Sequence, residues 1–184
     1  MRSPSAPNLV VLVTILLAIQ IFGVRAEKHI KIGRIEKVKE NDRFLESNLS
    51  IAEDADNVLK VNGDLKLNYE WDDHFELEVY VNRSDEHGGD YEMAYYGAKI
   101  GVCKFLKTYY KDFFYDRIKD YSNAPDPDTC PLPEGSHFHL VDYPLDVKLL
   151  KSLLKPGHYR IEFKAMLDHL MYPIIYEGEL EVLE

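Results

Sequence analysis

The sequence is poor in the signatures of catalysis. It has no G-x-S-x-G elbow, no glycine loop ending in Lys-Ser/Thr, and no H-E-x-x-H helix. Serine-hydrolase, phosphate-cradling and zinc-peptidase chemistry are therefore not expected. Two cysteines, Cys103 and Cys130, supply too few ligands for a cysteine-based metal site. Positive charge is also short: 22 Lys and Arg against 32 Asp and Glu give a formal charge of −10. Nucleic acid and anionic lipid surfaces are accordingly not expected as general partners. The longest apolar-rich run, residues 9–22, has fourteen positions. As a helix it would reach about 21 Å, short of the roughly 30 Å of hydrocarbon in a bilayer, so no stable membrane span is expected. Internal repeats and low-complexity segments are absent.

That short run has another use. Arg2 gives a positive start and Val24-Arg25-Ala26 a small-residue cleavage site, so residues 1–26 read as a secretory signal cut after Ala26. The remaining 27–184 suffices for a single domain with a sizeable core, and its formal charge is −12. In an oxidising compartment Cys103 and Cys130 are expected to pair, closing a loop worth about 3–4 kcal/mol in the chain-entropy picture. Two buried free thiols are the other reading. Asn48-Leu49-Ser50 and Asn82-Arg83-Ser84 fit the N-glycosylation pattern, which requires exposure if it is used.

Alternation dominates what is present. Residues 29–35, 75–81, 91–100, 137–141, 158–166 and 174–183 each read as strands. In 75–81, for example, Phe75, Leu77, Val79 and Val81 form a dry face and Glu76, Glu78 and Tyr80 a wet one. Asn62-Gly63 between the alternating runs of 58–67 reads as a tight hairpin turn, because both central positions of that turn need positive φ. Residues 40–57 carry no clean period and read as loop. A second, short helix is expected within 145–154, ahead of the Pro156-Gly157 turn. Seven or eight strands and few helices predict a mainly β, antiparallel sandwich.

The stretch 102–121 stands apart. At about 100° per residue, Val102, Phe105, Leu106, Tyr109, Tyr110, Phe113, Phe114, Ile118 and Tyr121 fall on one broad apolar arc. This predicts one long amphipathic helix over about 104–121, stopped by Ser122-Asn123-Ala124-Pro125. An aromatic stripe at that spacing is ordinarily core. So many rings, several with hydroxyls, also suit one wall of a pocket able to hold an apolar ligand. On that reading Phe105, Tyr109, Tyr110, Phe113 and Phe114 form the helix side, and Phe163, Leu167, Leu170 and Met171 the opposing side. Residues 167–173 are oddly apolar for a hairpin tip: they are either a lip over the cavity or folded back on the core.

Other chemistry is thin. His137 and His139 share a strand face and could hold a metal, but no third ligand is identifiable. Asp72-Asp73-His74 and Asp168-His169 could each orient an imidazole, yet no nucleophile accompanies them. A non-catalytic protein without cofactor is expected.

Val102-Cys103-Lys104-Phe105-Leu106, then Tyr121-Ser122-Asn123-Ala124-Pro125, then Thr129-Cys130-Pro131-Leu132-Pro133-Glu134-Gly135 form a pattern. With Pro156-Gly157-His158-Tyr159-Arg160, it resembles the insect chemosensory protein B family and related insect secreted domains of unknown function. The resemblance implies a distant likeness to ganglioside-activator and ML lipid-recognition proteins, hence an immunoglobulin-like β-sandwich or β-cup enclosing lipid. It further implies a role in gustatory or pheromone perception in the sensillum lymph, with a cuticular hydrocarbon or lipid as ligand and a degenerin-type sodium channel ectodomain as partner. Ganglioside activators carry more disulfides than the single bridge available here, so only the cysteine pair and the turn residues carry over. The expectation is a secreted binder of apolar ligands; an extracellular interaction module modulating a receptor or channel, with no small ligand of its own, is the alternative.

Overall fold

A computed structural model describes residues 28–55, 58–145 and 147–183. The expected secretory signal, residues 1–26, lies outside the described residues. The chain is mainly β: β1 (His29–Glu40), β2 (Leu45–Glu53), β3 (Leu59–Leu67), β4 (Phe75–Ser84) and β5 (Glu92–Gly101) precede a helical segment, α1 (102–118). After α1 come β6 (His137–Pro144), the short helix α2 (Val147–Leu153), β7 (Gly157–Leu167) and β8 (Met171–Leu183). Two antiparallel sheets result, one of five strands in the order β1-β8-β7-β4-β5 and one of three in the order β2-β3-β6.

Alternation decides which side of each strand meets the other sheet. Phe75 and Leu77 of β4, Ala165 and Phe163 of β7, and Ile174 and Tyr176 of β8 occupy one face in register. They face Leu45, Leu65, Leu67 and Phe138 of the small sheet, and the buried members form one core around Phe44, Trp71 and Phe75. Trp71 and Phe75 stack with ring centroids 4.4 Å apart and planes within 7°. A second cluster, Tyr159, Leu180 and Val182, fills the other end of the large sheet.

Two expectations are corrected here. Residues 40–57 are not loop: β2 runs through them, paired residue for residue with β3. Its inner positions are Leu45, Ser47, Leu49 and Ile51, and the serine breaks the apolar period that would have announced a strand. Asn62-Gly63 is not a turn. Both sit inside β3, opposite Ser50 and Leu49 of β2, and neither has positive φ. Asn62 instead braces an irregularity in β6, accepting from the Asp142 N–H at 2.9 Å. Pairing on both flanks outweighs the local turn preference.

The two sheets are held apart differently on their two open sides. On one side the β1 edge meets β2 through Lys37 Nζ to the Ser47 carbonyl at 2.7 Å and the Ser47 N–H to Glu40 Oε2 at 2.8 Å. On the other side α1 bridges from the end of β5 to β6. The Cys103–Cys130 disulfide, Cα atoms 5.4 Å apart, ties the first turn of α1 to the returning chain. That return is fastened in turn by Trp71 N–H to the Leu132 carbonyl at 2.9 Å and the Leu132 N–H back to Trp71 at 2.8 Å. Past the far end of the helix, Asn123 donates to the His137 carbonyl at 2.8 Å and accepts from the His139 N–H at 2.7 Å. The helix is thus pinned at both ends.

Candidate functional site

The helix begins as α-helix at Val102–Phe105, but its middle, Leu106–Tyr115, is π-helix, with bonds running i→i+5. The α pattern returns for Asp116–Ile118. Thr108 Oγ1 donates to the Lys104 carbonyl at 2.7 Å, which keeps that acceptor satisfied while the ladder shifts by one residue. The wider turn rotates each residue by only about 80°, so the face buried is not the one a 100° wheel draws. Val102, Leu106 and Tyr110 are buried, and Phe105, Tyr115 and Ile118 are half-buried. Tyr109, Phe113 and Phe114 point away and are 55, 60 and 49% exposed.

Beneath the inner face of α1 lies a cavity of about 460 Å³. Val102, Phe105, Leu106, Tyr110 and Ile118 roof it, with Ala124, Pro125 and Leu132 of the return. Leu45, Ser47, Leu49, Leu65, Phe138 and Leu140 of the small sheet and Leu77, Phe163, Ile174 and Tyr176 of the large one complete the wall. The volume falls in the usual range of small-molecule sites, about 300–1,000 Å³. The lining atoms are almost wholly apolar. Tyr110 donates its hydroxyl to the Pro125 carbonyl at 2.9 Å, and burial, helped by nearby Tyr115 and Asp126, pushes that phenol up to about 12.

On the outer side of α1 a second groove of about 470 Å³ opens toward β4 and β5, lined by Tyr95, Gly97, Lys104, Thr108, Tyr109 and Phe114 among others. Leu77, Phe105 and Phe163 belong to both linings, so these three side chains stand between the inner cavity and the outer groove. Tyr109 and Phe113 stack on this exposed side with centroids 6.3 Å apart. From residue 99 to 111 the chain carries Lys99, Lys104, Lys107 and Lys111 and no acidic residue, against the acidic balance of the whole. A still larger cleft, about 830 Å³, runs between β1, the β2–β3 end of the small sheet and α2. Its walls mix Lys31, Arg34, Glu53 and Lys151 with Ile30, Ile32 and Leu59, so an alkyl chain lying there would leave charged groups poorly solvated. The inner cavity is the better apolar site despite its smaller size.

Of the pocket residues read from the sequence, Phe105, Tyr110 and Phe163 line the inner cavity. Tyr109 and Phe114 line the outer groove, and Phe113 lines neither. Leu167 packs against the core beside Phe75, whereas Leu170 at the hairpin tip is 89% exposed and Met171 lies on the surface by Asn41. Asn48 is exposed on the outward face of β2, and Asn82 is half-buried on β4. His137 and His139 also point outward, His137 Nε2 lying 3.1 Å from Asp64 Oδ1. Among the described residues, no group of three or more His, Cys, Asp or Glu is placed to hold a metal ion. Asp72 and His74 pair at 2.9 Å on the surface, and the hydrogen bond that the imidazole donates to the Asp72 carboxylate raises the imidazole pKa.

The residues missed by sequence reasoning are polar. Ser47 Oγ donates to Glu40 Oε2 at 2.5 Å and lies 2.9 Å from the Tyr176 hydroxyl, while Lys37 Nζ sits 2.8 Å from Glu40 Oε1. Burial pushes the Glu40 carboxyl up, but Lys37 and the two Ser47 donors pull it further down, to a net value below the ordinary 4.5. The alternation Leu45, Leu49, Ile51 around Ser47 was the available signal for this group.

Among the described residues, no helix is long and apolar enough to cross a membrane. No curated protein matches the chain. A family model described as a protein of unknown function, DUF1091, matches residues 75–161, the span from β4 into β7 that carries α1 and the disulfide.

Proposed function

We propose that this is a secreted, non-catalytic binder of apolar, lipid-like ligands, held between the two sheets beneath α1. The observation that carries the reading is the cavity of about 460 Å³, walled almost entirely by carbon and kept open by a helix fastened at both ends. A chain losing about 300 Å² of apolar surface there gains roughly 7 kcal/mol before ordering costs. At roughly 30 Å³ per methylene, close to the share of one liquid water, the space takes a chain of about 15 carbons. The two-sheet arrangement with a lipid-sized interior fits an immunoglobulin-like sandwich or β-cup of the ML kind. The disulfide suits an extracellular compartment. The sequence pattern around Cys103 and Cys130 supports a chemosensory role of the insect chemosensory protein B type, with a cuticular hydrocarbon or lipid as cargo.

Mass spectrometry of the secreted protein under native and denaturing conditions tests this. One lipid-sized adduct per chain, released on denaturation, is the expected result; protein that never retains an adduct and shows no saturable uptake of long-chain compounds rules it out. A second reading, an interaction module that contacts a receptor or a degenerin-type channel ectodomain without a small ligand, draws on the exposed rings of Tyr109, Phe113 and Phe114. It requires receptor binding by protein whose cavity is empty.

A further inference from the structure

The inner cavity borders two other spaces, and the side chains at the two borders differ in kind. Toward α2, Leu49 lines both the inner cavity and the large cleft, and beyond it the walls carry Lys31, Glu53 and Lys151. Toward β5, Leu77, Phe105 and Phe163 line both the inner cavity and the outer groove. The neighbours of these residues place them on that border as well. The Phe105 ring centroid lies 6.4 Å from that of Tyr110, which lines the inner cavity, and 6.3 Å from that of Phe114, which lines the outer groove. Phe163 stands on β7 in register with Tyr176 of β8 on one side and Val79 of β4 on the other. Tyr176 lines the inner cavity and Val79 the outer groove. Leu77, Phe105 and Phe163 are half-buried, and as apolar side chains they hold the partition by packing alone. Past it the outer groove, about 470 Å³ against 460 Å³ for the cavity, continues with Val79, Ile100 and Phe114.

We infer that Phe105 and Phe163, with Leu77, form the end wall that sets the length of apolar chain the protein accepts. This rests on the apolar-binder reading above and adds a length limit to its ligand class. A chain of about 15 carbons fills the cavity at roughly 30 Å³ per methylene. Each further methylene has to stay in water or among the charged walls beyond Leu49, and so forgoes a burial worth about fourfold in affinity. Removing one of the rings joins two spaces of nearly equal volume, which raises the accepted length by up to about another 15 carbons. Length is what such a site reads, because its wall is almost wholly carbon.

Delipidated protein equilibrated with an equimolar mixture of tetradecane and docosane separates the outcomes, the retained alkanes being released by denaturation and quantified by gas chromatography. The unmodified protein should retain tetradecane well over docosane. Phe105→Ala should raise the docosane-to-tetradecane ratio about tenfold, the worth of roughly two newly buried methylenes. Phe163→Leu, a milder change on another element, should raise it about fourfold, so a misfolded Phe105→Ala does not shelter the inference. Adding Gly97→Leu to Phe105→Ala should return the ratio to that of the unmodified protein. Gly97 lines the outer groove, and a Cβ added there lies 3.6 Å from Tyr95 and Val79, an ordinary contact. A fold that was merely loosened would not be reversed by bulk in the groove. Docosane retained as well as tetradecane by the unmodified protein, or a ratio that neither Phe105→Ala nor Phe163→Leu moves, overturns the inference while tetradecane retention preserves the broader reading. If neither alkane is retained by the unmodified protein or the variants, the apolar-binder reading falls and this inference with it.

Discussion

The two sides of α1 carry the same kind of residue in opposite settings. Inside, Val102, Leu106 and Tyr110 are buried over a cavity lined almost wholly by carbon. Outside, Tyr109, Phe113 and Phe114 are exposed among lysines, and Tyr109 and Phe114 line a separate groove. Ring content therefore does not distinguish a cavity wall from a surface; the pitch of the helix does. An α-helical wheel would turn Phe113 inward, and the wider i→i+5 turn carries it to the far side. The inner face contributes to stability and roofs the space between the sheets, whereas the outer face is left free for contact.

The comparison can be broken at its hinge first. Replacing both cysteines with alanine removes the fastening at the start of α1. A loss of about 3–4 kcal/mol in urea unfolding is expected, and a smaller loss than 1 kcal/mol would mean that the hydrogen bonds of the return segment hold the helix alone. Next in size is Leu106→Ala on the inner face, expected to cost about 2–4 kcal/mol as a buried truncation beside an existing cavity. Tyr110→Phe should cost about 0.5–1.5 kcal/mol through the lost bond to Pro125. Phe113→Ala, on the outer face, should stay within about 0.5 kcal/mol. If Leu106 and Phe113 proved equally costly, the inside–outside division would be wrong.

A pH series sharpens the opposite seam, where β1 meets β2. The Glu40 carboxyl is held below the ordinary 4.5, so its contribution is fully present above that value and is lost as pH falls through the lowered folded-state value. Wild-type protein should therefore lose more stability than Glu40→Gln between pH 6 and about pH 3, as read from urea midpoints. Parallel curves for the two proteins would show that the Lys37–Glu40–Ser47 group does not fasten the sheets.

Much of this architecture was legible in the chain, and the illegible parts have specific causes. β4 and β7 declared themselves because each lays a run of apolar residues on one face. β2 did not, because Ser47 occupies an inner position and Glu46, Asn48 and Ser50 an open one at the edge of its sheet. Asn62-Gly63 carries a turn signal of local origin, and strands on both sides of β3 overrule it. The disulfide followed from two cysteines in a chain expected to be exported, and it forms as expected. Phe105, Tyr110 and Phe163 were accessible from ring content, but the hydrogen-bonded group of Glu40, Ser47 and Tyr176 was not. Glu40 and Ser47 lie close in sequence but on strands of different sheets, and Tyr176 joins them from β8 far along the chain, so only the packing of one sheet on the other brings the group together.

The most direct test of an open interior beneath α1 is saturable binding of tetradecane by delipidated protein with the cavity filled from within. Leu140→Trp, on the inner face of β6, should abolish binding while the near-ultraviolet circular dichroism of the fold is retained, and Tyr109→Ala, in the outer groove, should bind as the unmodified protein does. Binding that persists in Leu140→Trp and disappears in Tyr109→Ala would place the ligand on the outer groove and contradict the cavity.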